Sequence, residues 1–90
     1  MAPDADPVNV LVTALAAISQ PPPDLDRIAE TLRRDPASLS LADLGLDSLG
    51  RLEACIALEI EQGVLLTPEA VAPLQDADQL LRRMATAARA

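Results

Sequence analysis

Apolar residues in this chain recur at spacings of three and four, and proline or glycine marks the breaks between the runs. Val8, Leu11, Val12, Leu15 and Ile18 define one face of a helix predicted over residues 7–19. Asp6-Pro7 supplies its N-cap and first-position proline. Gln20-Pro21-Pro22-Pro23 stops it, because proline donates no amide hydrogen and restricts the residue before it. Asp24 caps a second helix through Arg34, with Leu25, Ile28, Ala29 and Leu32 on one face. Asp26, Arg27, Glu30 and Arg33 occupy the other face, and Asp35-Pro36 ends the helix.

The loop that follows holds Leu39, Leu41, Leu44 and Leu46. Leaving four leucines in water is costly, so the loop is expected to fold down as a lid on the core. Asp47 caps a third helix over residues 48–62, and Gly63 suits its left-handed C-terminal position. Thr67-Pro68-Glu69 opens a short helix that ends near Pro73. Asp76, with Gln79 three residues on, reads as a capping box for a last helix whose buried face is Leu80, Leu81, Met84 and Ala88. The pattern predicts an all-α fold of five helical segments, with a flexible tail over residues 1–6 and a single domain over residues 7–88.

Composition agrees with helices. The apolar set is 16 Leu, 5 Val, 4 Ile and many Ala, with no aromatic residue. Leu and Ala are strong helix formers, and a sheet would want the β-branched and aromatic types that are scarce here. A 90-residue chain is one small domain, and such a domain buries only about 60% of its unfolded surface.

The net charge of −7 argues against nucleic acid, whose phosphates demand cations. It suits a partner with a basic patch, although solubility alone accounts for such an excess. Residues 43–78 carry eight carboxylates and one arginine, whereas the last twelve residues carry three arginines and no acid. Those arginines complement the negative end of a final helix. No basic start followed by an apolar run marks a signal peptide, and no apolar run is long enough for a membrane span. A cytoplasmic, monomeric protein is expected, and the Met1 start with a short tail reads as a discrete chain. The single cysteine, Cys55, forms no disulfide framework or zinc pattern and reads as a small buried hydrophobe.

Without histidine, Ser-His-Asp and Cys-His catalysis are excluded. The carboxylates stand singly, with no metal-loop spacing, so an enzyme working by paired acids ranks last. Asp47-Ser48-Leu49 stands out instead. It sets Ser48 in the first turn of a helix, where unpaired amides and partial positive charge favour a phosphate ester. Gly45 frees the preceding turn to present the serine outward. As a bare tripeptide, Asp-Ser-Leu is equally an ordinary helix start.

The longer run Leu41-Ala42-Asp43-Leu44-Gly45-Leu46-Asp47-Ser48-Leu49 resembles the attachment motif of acyl and peptidyl carrier proteins. Leu52, Glu53, Ile56, Ala57, Leu58, Glu59, Glu61 and Gly63 continue the resemblance, as do Thr67-Pro68 and Asp76-Ala77-Asp78-Gln79-Leu80-Leu81. It covers residues 39–84 and implies a four-helix bundle with a long first loop, here holding an extra short helix. Residues 24–34 are the preferred extra helix, with residues 7–19 as the alternative.

The resemblance implies that a phosphopantetheinyl transferase moves 4'-phosphopantetheine from coenzyme A onto Ser48, with Asp47 helping to recruit it. The arm's thiol then carries acyl or aminoacyl thioesters from a loading ligase or transferase to downstream biosynthetic enzymes. The form of the motif leans toward acyl cargo. Leu49, Arg51, Leu52, Glu53, Ile56, Glu59 and Ile60 fall where the family's second helix meets its partners, with Leu49 expected to lie partly in the core and Leu58 on the buried side.

Gly50, Arg51 and Gln62 depart from the family pattern. A glycine inside a helix costs about 1 kcal/mol relative to alanine. An arginine beside the attachment serine changes which partners fit. The competing reading is a small helical adaptor with no arm, in which Asp47-Ser48 is only a helix cap.

Overall fold

Each helix begins on the side chain its sequence offers as a cap. Asp6 accepts from the Val8 amide at 3.1 Å, Asp24 from Arg27 at 3.2 Å, and Asp47 from Gly50 at 2.8 Å. Thr67 accepts from Ala70 at 3.2 Å and Asp76 from Gln79 at 2.9 Å. Each such cap contributes about 1 kcal/mol. Asp24 caps from a left-handed backbone, φ 57°, a conformation Asp tolerates better than most residues. Gln79 returns its bond to the Gln75 amide at 2.8 Å, one residue ahead of the cap, so the expected capping box is offset.

The structure, a computed structural model, describes the backbone of residues 6–89 and the side chains of residues 6–87. The helices are α1 (Pro7–Ala16), α2 (Leu25–Arg34), α3 (Ser48–Gln62), α4 (Pro68–Val71) and α5 (Ala77–Thr86). Single 3₁₀ turns at Pro36–Ser38 and Ala42–Leu44 shape the loop between α2 and α3. Two short strands, β1 (Val64–Leu65) and β2 (Ala88–Arg89), pair antiparallel with Val64 opposite Arg89. The fold is a small all-α bundle with that one ladder added. No helix among the described residues is long and apolar enough to cross a membrane.

α1 packs against α2, α3 and α5, and its Leu11 and Leu15 are fully buried. α2 rests mainly on α1 and on the Pro36–Ser38 turn. So α1 lies inside the bundle, while α2 joins it chiefly through α1. Leu41, Leu44 and Leu46 are buried and close the core from that loop, while Leu39 packs half-buried beside them.

Two helix ends differ from the periodicity. α1 stops at Ala16 instead of residue 19, because the Ser19 amide and hydroxyl both donate to the Glu53 carboxylate. Ile18 stays buried although it lies beyond the helix. α5 stops at Thr86, and the chain then runs extended to pair with the backbone of Val64–Leu65. That pairing gives β1 partners it would otherwise lack. The expected burial of the Ala88 side chain lies outside the described residues, as does most of the expected tail, residues 1–5. Asp6 is structured and forms an ion pair with Arg33 of α2, at 2.7 Å. Arg33 also donates to Asn9 at 3.0 Å, so one guanidinium joins the start of α1 to the end of α2.

The Arg33 bond holds the Asp6 carboxyl below its ordinary value. A carboxyl depressed on folding contributes stability above its unfolded pKa, and that contribution is lost as pH falls through the folded value. Carboxyl titration by NMR is expected to show Asp6 moving up toward the ordinary range in Arg33→Gln. The variant should also lose its folded signal at a higher pH than the parent in an acid titration.

Candidate functional site

The segment leading into α3 is braced from both sides. The Ser40 amide donates to Asp43 at 2.9 Å and the Asp43 amide to the Ser40 hydroxyl at 3.1 Å. The Leu41 amide donates to the Gln75 carbonyl at 3.3 Å, and Ala77 to Leu39 at 2.8 Å, which ties the segment to the start of α5. Gly45 then turns the chain at φ 78°, a left-handed conformation that favours glycine. Buried Leu44 and Leu46 flank it.

Ser48 is the first residue of α3 and is exposed. The α3 cap comes from Asp47 Oδ1, so the Ser48 hydroxyl is not the capping group. Asp47 itself is exposed at the mouth of the turn. Gly50 is buried, and a β-carbon there would stand 2.2 Å from the Gly45 carbonyl oxygen. The close approach of turn to helix therefore requires the glycine that the helix pattern reads only as a cost. No local sequence signal carries this, because the contact joins two segments.

Leu49, Leu52, Ile56 and Ile60 lie exposed along one face of α3, with Leu49 at 59% and Ile60 at 74%. Leu49 was expected partly in the core. It is instead open to solvent, since Ala54, Cys55, Ala57 and Leu58 supply the buried face of α3. Over eleven positions the strip runs about 16 Å. A small domain rarely leaves so much aligned apolar surface bare. Glu59 is exposed beside it. Glu53 is half-buried and bound to Ser19, so it fastens α3 to the end of α1 as well as edging the strip. Arg51 is half-buried, and its Nε is shut from solvent without a hydrogen-bond partner.

A cleft of about 290 Å³ opens beside Asp47, between the end of α1 and the first turns of α3. Ile18, Ser19, Gln20, Gly45, Leu49 and Glu53 line it. Ser19 and Gln20 were not singled out from the sequence, because only the packing of α1 on α3 brings them there. Leu65 adds a further exposed apolar residue just past the end of α3.

Cys55 is buried, and burial together with the charge of Glu69 pushes its thiol up. Such a thiol is mostly protonated near neutral pH and a poor nucleophile. Ellman's reagent is expected to label native protein at least about 100-fold more slowly than urea-unfolded protein. Comparable rates would show the site to be open. No family model, curated protein or solved structure matches this chain.

Proposed function

We propose that the protein is a carrier whose Ser48 accepts a 4'-phosphopantetheine arm. The observation that carries the reading is the division of labour at the start of α3. Asp47 performs the capping, which leaves an exposed Ser48 hydroxyl with no structural duty in a turn braced against two other segments. Amides in the first turn of a helix favour an anionic ester at that position. The residues present therefore fit the group: an open hydroxyl for its attachment, a positive helix end for its phosphate, and a cleft alongside.

In the attachment reaction the Ser48 oxygen bonds to the pantetheine-side phosphorus of coenzyme A. The pyrophosphate bond breaks, adenosine 3',5'-bisphosphate leaves, and the serine proton passes to base in the transferase. Once attached, the arm supplies a thiol that holds an acyl or aminoacyl group as a thioester. Leu52, Ile56 and Ile60 offer apolar contact to loading and receiving enzymes, while Asp47, Glu53 and Glu59 complement basic residues on them. The protein would work in the cytoplasm, where coenzyme A and the transferase meet it.

The bare strip on α3 also favours a second reading, a helical adaptor that binds a partner without an arm. Intact-mass measurement after incubation with coenzyme A and a permissive transferase separates the two. The carrier gains one phosphopantetheine. No gain with several transferases sinks the carrier reading and leaves the adaptor.

A further inference from the structure

Arg51 is the only basic residue between Asp35 and Leu81. It takes part in none of the ion pairs among the described residues, which join Arg33 to Asp6, Arg34 to Glu30 and Arg82 to Asp78. Its Nε–H is buried with nothing to donate to. A buried donor without an acceptor costs free energy, more so on a charged group, and such groups call for an explanation. The nearest acid on its own helix face is Asp47, one turn earlier, whose Oδ1 already accepts from the Gly50 amide.

Arg51 stands three residues after Ser48 in α3. Residues three apart share a helix face, with β-carbons about 5–6 Å apart. Helix side chains lean toward the N-terminus, which puts the turn that holds Ser48 within reach of an arginine at this position. A guanidinium forks onto two oxygens of a phosphate, a geometry lysine lacks. We propose that Arg51 is the positioning residue for the phosphate borne on Ser48, pinning the root of the arm against α3 and giving its own orphaned Nε–H an acceptor.

The proposal rests on the carrier reading, and its test keeps the two apart. The Arg51 Nε–H resonance is assigned in the unloaded protein by its disappearance in Arg51→Gln. The wild-type chain is then loaded with coenzyme A and excess transferase, and loading is checked by intact mass. On loading, that resonance is expected to move further than any other arginine Nε–H. Its exchange with water should slow about tenfold, as a charge-assisted bond requires. A resonance that stays in place on fully loaded protein overturns the role of Arg51 and leaves the carrier intact. Failure to load overturns both.

Discussion

Gly50→Ala is expected to lower the stability of this domain by about 2 kcal/mol, although alanine is the better helix former. The helix preference favours the variant by about 1 kcal/mol. Against it stands a β-carbon placed 2.2 Å from the Gly45 carbonyl oxygen, a backbone atom that cannot rotate away. Gly45 cannot retreat cheaply. Its left-handed turn is closed by its own amide on Ala42 at 3.0 Å, and its neighbours Leu44 and Leu46 are locked in the core. Overpacking commonly costs 1–3 kcal/mol and occasionally more, so the clash wins. Thermal unfolding followed by circular dichroism should show the midpoint falling by roughly 8–16 °C. A variant as stable as the parent would show that the turn is not held against α3. Gly63→Ala is the useful contrast. Its left-handed φ of 67° predicts a loss of about 1 kcal/mol from backbone strain.

The second large effect separates two adjacent residues. Ser48→Ala is expected to abolish the mass gain from coenzyme A completely while leaving the melting temperature within about 2 °C of the parent. The reason is that Asp47, not Ser48, makes the capping bond to Gly50. Asp47→Ala should do the reverse to stability, costing about 1 kcal/mol through the lost cap. It should keep its target hydroxyl and still load, more slowly, if the transferase reads that carboxylate. A Ser48→Ala chain that still gains the arm would place attachment elsewhere. One that unfolds would make Ser48 a structural residue.

The starts of all five helices were readable because a cap is a local event. Asp6, Asp24, Asp47, Thr67 and Asp76 each bond to amides two or three residues away. α3 runs over residues 48–62 to Gly63 for the same reason. What escaped was decided across the chain. The end of α1 is set by Glu53, thirty-four residues away from Ser19. The end of α5 is set by a ladder with Val64–Leu65. Helix propensity alone makes Gly50 a cost, and only its contact with the Gly45 carbonyl, five residues back, accounts for it. At the candidate site, Leu52 and Ile56 came under suspicion only through the resemblance of the α3 segment to a carrier helix, and both are exposed. The exposure of Leu49 was not legible, because the spacing cannot say which of two adjoining faces the core takes.

The β1–β2 ladder has a practical consequence. It fastens residues 88–89 beside Val64, at the end of α3 remote from Ser48. Fifteen helical residues separate those ends, about 22 Å. A surface, dye or fused protein attached after Arg89 would thus leave from the opposite pole of the molecule. It could anchor the chain while leaving the serine, the cleft and most of the apolar strip facing outward.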